Sequence, residues 1–179
     1  MGTPKEHGPV LLFVGAILTD AGIEPDVRKA LAGEFGEIDA ESPLFPFTHT
    51  EYYTDEMERE LLKKFYAFRE LIDPARIVEA KLRTDELERE LFSTGDNPPR
   101  RRVNLDPGYI SLSHLVLATT KNHAHRVYLR DGIYAEVTLR FHRGAFRPWE
   151  WTYPDYRTPE YIGFFNESRL RYRELLRYE

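Results

Sequence analysis

The dipeptide Asp131-Gly132 stands between two runs rich in Val, Ile, Leu and Tyr. A two-residue type I′ turn needs positive φ at both central positions, and Asp-Gly supplies it with little strain, so this is the strongest short-range hairpin signal in the chain. The expected hairpin spans residues 123–142. A two-residue turn sets Arg130 against Ile133 and Leu129 against Tyr134, and the pairing continues outward from there. One face then carries His123, His125, Val127 and Leu129 opposite Arg140, Thr138, Glu136 and Tyr134. The other carries Arg126 and Tyr128 among Ala135, Val137, Ile133, Leu139 and Phe141. Two imidazoles, a Glu, a Thr and an Arg thus share one side of a ribbon, which is either a site or a solvated sheet face. Arg126 falls on the apolar side, where an unpaired charge is costly and a partner is required.

Around this hairpin the pattern is mixed. Val10–Thr19 is almost continuously apolar and reads as a strand buried on both faces, with Gly15 marking a bulge or a close approach. Pro25, Val27, Ala30, Leu31 and Phe35 recur at helical spacing, and Gly36 closes that helix. Residues 37–53 read as extended, with Pro43 and Pro46 restricting them to an edge. Thr54-Asp55-Glu56 looks like a cap for a helix whose stripe is Leu61, Leu62, Phe65 and Phe68. After Asp73-Pro74, residues 76–83 read as a short strand and 84–92 as a helix, or the whole stretch as one helix from Pro74. Ser93–Arg102 is loop, Val103–Ile110 is strand ending in an Asp106-Pro107-Gly108 turn, and residues 111–121 suit helix or strand. An aromatic loop at 144–158 precedes a final helix capped by Thr158-Pro159. The expected fold is α+β: a mainly antiparallel sheet with helices packed on one side of it.

At 179 residues the chain reads as one domain, 9–179, after a flexible leader, 1–8. Without cysteine it has no disulfide, thiolate ligand or cysteine nucleophile, which suits a reducing cytoplasm. No run approaches the roughly 18 apolar residues of a membrane helix, and the N-terminus lacks the basic and small-residue features of a signal peptide. A net charge of −5 opposes non-specific nucleic-acid binding. The charge is uneven: residues 20–90 are acidic, while Arg100–Arg102 and the segment after Lys121 are rich in arginine.

Several segments resemble one family. RRVNLDPGYI at 101–110, LVLATTKN at 115–122, HRVYLRDGIYAEVTL at 125–139 and WTYPDYRTPEYI at 151–162 are similar to its hallmark stretches, and FPFTHTEYYTDEM at 45–57 to its N-terminal one. Members there often continue with Gly, where this chain has Glu58. It is an uncharacterised bacterial and archaeal family, a domain of unknown function, whose members often carry the label GTP-binding protein. The residues do not carry that label in its usual form. There is no GxxxxGK[ST] loop to wrap phosphates, and no GxGxxG. Thr120-Lys121-Asn122 resembles the guanine-reading TKxD element, but His123 replaces its Asp.

Three constellations remain. His123 and His125 at i, i+2 put two imidazoles on one strand face, adequate as metal ligands, or His125 pairs with Glu136 for proton transfer. Arg102, Lys121, Arg126 and Arg140 form a cationic group, in which each guanidinium suits either an internal carboxylate or a phosphate. Trp151, Tyr153 and Arg157 belong to an aromatic loop fit for stacking on a planar ligand, for sheet-edge packing, or for a partner. The leading expectation is a small anionic ligand, phosphate-containing and plausibly a nucleotide. Its pocket would form from the 123–142 hairpin, the 100–121 segment and the 149–157 loop. The alternatives are a non-enzymatic interaction or homo-oligomerisation module and a metal-dependent hydrolase.

Overall fold

The structure, a computed structural model, describes residues 2–48, 61–95 and 100–177. Nine strands form one sheet in which every pairing is antiparallel: β1 (Val10–Leu18), β2 (Ile38–Glu41), β3 (Phe45–Phe47), β4 (Leu61–Ile72), β5 (Val103–Ile110), β6 (His114–Thr119), β7 (Val127–Arg130), β8 (Ile133–His142) and β9 (Ala145–Pro148). The spatial order is β2-β4-β1-β5-β6-β8-β7, with β3 beside β4 and β9 beside β8. Three helices pack on it: α1 (Glu24–Phe35), α2 (Ile77–Leu91) and α3 (Pro159–Leu175). Among the described residues no helix is long and apolar enough to cross a membrane.

The helices lie on both faces rather than one. Val10, Leu12, Val14, Ala16 and Leu18 of β1 pack with α1 and α2, while Leu11 and Phe13 pack with α3. A central strand covered on both sides needs apolar residues at successive positions, which explains why β1 reads as a continuous hydrophobic run. On the α3 face Phe65 meets Phe13, Tyr156, Tyr161, Phe164 and Phe165 at centroid distances of 4.7–6.5 Å. Each such pair adds about 0.5–1.5 kcal/mol beyond area burial, so this aromatic cluster anchors α3.

The same two-sided burial overturns the helix expected around Leu61, Leu62, Phe65 and Phe68, because those residues lie on the long strand β4. Phe65, Tyr66, Ala67 and Phe68 are all buried. A run of that kind matches a covered strand better than a one-faced helix. The cap expected at Thr54 and the Asn97-Pro98-Pro99 part of the loop lie outside the described residues. After Asp73, which accepts from Ala75 N–H at 2.8 Å, the single-helix alternative holds: α2 runs without a break.

Pro107 sits inside β5 and not in the expected turn. β6 joins β5 only at Gly108–Leu117, Tyr109–Val116 and Ile110–Leu115. Gly108 permits this junction, as a Cβ there would stand 2.4 Å from the Val116 carbonyl and 2.6 Å from the Phe13 ring. Beyond it the strands splay: Ala118 and Thr119 stay with β8, while Val103–Pro107 stay with β1. Proline is tolerated there because no neighbouring strand requires its N–H. The freed edge of β5 is met by α2 instead, with Lys81 Nζ donating to the Leu105 carbonyl at 3.0 Å and Leu105 N–H donating to Glu88 at 2.6 Å.

Candidate functional site

The split between β5 and β6 opens into a cavity of about 790 Å³. Its wall holds seven Lys or Arg side chains (Lys63, Lys81, Arg89, Arg100, Arg101, Lys121, Arg126) against five carboxylates (Asp85, Glu88, Asp106, Glu136, Asp155). Lys63 comes from the α3 face of the sheet and Lys81 from the α2 face, with Asp106 of β5 between them. Asp106 lies 3.7 Å from the Lys63 ammonium and 3.8 Å from that of Lys81. Lys81 has two acceptors within hydrogen-bond distance, Asp85 at 2.9 Å in addition to the Leu105 carbonyl. Burial opposes its charge, yet Asp106, Asp85 and Glu88 together hold its pKa above the ordinary lysine value.

Lys63 is different. Its side chain is 2% exposed, and no acceptor among the described residues comes within hydrogen-bond distance of its ammonium. What surrounds it is aromatic: the rings of Phe47, Phe65 and Tyr156 have their centroids 5.6–5.7 Å away. Gly15 leaves the space for it, since a Cβ there would stand 3.2 Å from the Lys63 Cε. The hydroxyl of buried Tyr156, on the same wall, has no hydrogen-bond partner among the described residues.

A polar chain ties the α2 side together. Arg101 Nη1 donates to Asn104 at 2.8 Å, Asn104 donates to Asp106 at 2.8 Å, and Arg101 lies 3.4 Å from Glu88. Burial pushes the Glu88 carboxyl up to about 7, against the pull of Lys81, the Leu105 N–H and Arg101. Burial likewise raises Asp155, with Lys63 opposing.

The hairpin forms the opposite wall, in a register that differs from expectation. Asp131 and Gly132 take φ of +53° and +78° and join Arg130 to Ile133. A bulge at Leu129 then shifts the pairing by one, to Tyr128–Tyr134 and Val127–Ala135. A one-residue slip moves side chains to the other face, so Arg126 meets Glu136 instead of lying behind it. Arg126 donates to Glu136 at 2.7 Å, to the Lys121 carbonyl at 2.9 Å and to the Tyr153 hydroxyl at 2.5 Å. Glu136 also has His125 Nε2 at 3.1 Å and accepts from Thr138 at 3.2 Å. The internal carboxylate is therefore Arg126's partner.

Of the residues singled out in the sequence, Lys121, His123, Arg126, Glu136 and Tyr153 line the cavity. His125 stands behind Glu136. Trp151 donates from Nε1 to the Val137 carbonyl at 3.1 Å and stacks on His125. Arg157 donates to the carbonyls of Thr152 and Glu150, both at 2.7 Å, so it clamps the loop. Arg140 lies over Trp149 at 4.2 Å, and Arg102, half exposed, faces Asp20 at 3.5 Å, both away from the cavity. The His123 and His125 rings lie nearly parallel at 5.9 Å, and among the described residues no group of three or more His, Asp or Glu is arranged to hold a metal ion.

Lys63, Lys81 and Glu88 escaped sequence reading. Lys63 falls in the stretch expected as a helix, Lys81 in one expected as a short strand or as part of a single helix, and no motif marks Glu88. The available signal is compositional: a pair of lysines inside an apolar run, LLKKFYAF, interrupts a stretch that burial should keep uncharged.

The curated proteins and the solved structures contain no match to this chain. A family model does match, over residues 8–172, and the chain belongs to that family, described as Domain of unknown function (DUF4416).

Proposed function

We propose that the cavity between β5 and β6 binds a small phosphate-bearing ligand. The carrying observation is Lys63: a buried ammonium facing a polar cavity, with Asp106 at 3.7 Å and no closer acceptor among the described residues. An ammonium removed from water needs hydrogen-bonded counter-charge, and an anion in the cavity supplies it. The excess of cations on the wall favours the same ligand, and the Tyr156 hydroxyl offers a further donor. Arg126, already paired with Glu136, the Lys121 carbonyl and the Tyr153 hydroxyl, adds a fixed positive charge to the wall. In this reading Lys121 and Tyr153 complete the rim, Glu136 acts as the fixed counter-ion of Arg126, and Glu88 is the group placed to exchange a proton near neutral pH.

Thermal shift at low salt with inorganic phosphate, pyrophosphate and nucleotides tests this. Ligand at a hundred times its Kd stabilises by about 2.7 kcal/mol, or roughly 5–10 °C for a chain of this size. Absence of a shift with every phosphate compound would sink the reading.

A second reading, association between copies of the chain, draws on the exposed edge strand β7, where Val127 is 67% and Tyr128 56% exposed. Such an edge is a template for strand pairing. Light scattering on the wild type and on Val127→Lys separates the two readings; a monomer at all concentrations removes the second.

A further inference from the structure

The rim of the cavity ends in a file of stacked groups. The Arg140 guanidinium lies 4.2 Å over the Trp149 ring. Trp149 stacks on Trp151 at 5.1 Å and 10°, Trp151 on His125 at 5.8 Å and 16°, and His125 on His123 at 5.9 Å and 11°. The middle of the file is held from outside it. Trp151 is tied to the Val137 carbonyl, His125 to Glu136, and the loop carrying both tryptophans is clamped by Arg157. The last ring, His123, is exposed, borders the cavity, and has no ring on its second face among the described residues.

A flat heteroaromatic ring placed there would become the next member. Offset parallel stacking is the arrangement aromatic quadrupoles favour, and a prebuilt file removes the ordering cost of forming the platform at the moment of binding. A purely structural stack has no need to end at the mouth of a cation-lined cavity. We propose that His123 is the stacking platform for the base of a nucleotide whose phosphate occupies the Lys63 end of the cavity. This rests on the phosphate reading above and adds the class of ligand to it.

The test compares the affinity of adenosine and guanosine monophosphates with that of ribose 5-phosphate, in wild type and in His123→Ala and His123→Phe. Stacking on an aromatic side chain is worth about 1–3 kcal/mol per base, so wild type should bind the nucleotides roughly five- to a hundredfold more tightly than ribose 5-phosphate. His123→Ala should remove that advantage and leave ribose 5-phosphate unchanged, and His123→Phe should restore it. The chain's two tryptophans both lie in the file, so unchanged intrinsic fluorescence of each variant verifies that the stack is intact. Nucleotides binding no more tightly than ribose 5-phosphate, or His123→Ala weakening both alike, overturns the stacking platform while the phosphate reading stands. No binding of any phosphate compound overturns both.

Discussion

Arg126 and Lys63 are both buried cations on the wall of one cavity, and they differ in what they touch. Arg126 has a carboxylate, a carbonyl and a hydroxyl within 2.9 Å. Lys63 has three rings and a carboxylate at 3.7 Å. Burial of charge alone therefore does not mark a ligand site. The informative quantity is how many donors stay unsatisfied once the surrounding protein has been counted. By that measure the hairpin wall is a finished structural network, and the β4–β5 wall is where an incoming anion has most to offer.

The largest effect should come from breaking the finished network. Glu136→Ala leaves the Arg126 guanidinium buried without its counter-charge and should destabilise the protein by about 3–5 kcal/mol in urea unfolding. Replacing both partners, Glu136→Leu with Arg126→Met, should recover most of that loss. A single variant costing under about 1 kcal/mol would show that the network is not what holds this wall.

Next comes Glu88. Its folded pKa, about 7, lies above the ordinary carboxylate value of 4.5. The folded state therefore binds the proton more tightly than the unfolded one, and this group's contribution to stability declines as pH rises from 4.5 to 7. The decline amounts to roughly 3 kcal/mol. Glu88→Gln keeps an acceptor for the Leu105 N–H and removes the titration. The wild type should lose ground against this variant across that window, and parallel pH profiles would contradict the assignment.

Lys63→Met should act on ligand binding where Glu136→Ala acts on stability. Without ligand its stability should change little, because no hydrogen bond to a described residue is lost and an apolar side chain suits the three rings. The thermal shift of roughly 5–10 °C expected with saturating phosphate compounds should vanish. A retained shift would move the site away from Lys63. The smallest effect belongs to Arg102→Ala: this exposed side chain should alter stability by about 0.5 kcal/mol or less, with ligand affinity unchanged.

Where local chemistry dictates the backbone, the elements were legible in advance. Gly36 ends α1 with φ of +88°, and Asp131-Gly132 turns the hairpin with both φ values positive. Lys121, Arg126 and Tyr153 were also legible as residues of one pocket. The faces of the hairpin were not, because a bulge at Leu129 depends on how β7 packs and leaves no signature in the alternation. Nor was β4, whose Leu61, Leu62, Phe65 and Phe68 satisfy helical and two-sided strand patterns equally.

By itself, then, the amino-acid sequence determined the α+β class, the Asp131-Gly132 turn and the two-sided burial of β1, since these follow from φ preferences and apolar periodicity within short windows. Tertiary structure alone decided which cation is satisfied and which is not. Whether a buried donor has an acceptor depends on groups brought together from different elements: Glu136 reaches Arg126 through a slipped register, and Asp106 reaches Lys63 and Lys81 only where β5 and β6 part. Side-chain type reveals that a charge needs a partner, and three-dimensional packing determines whether the protein itself provides one.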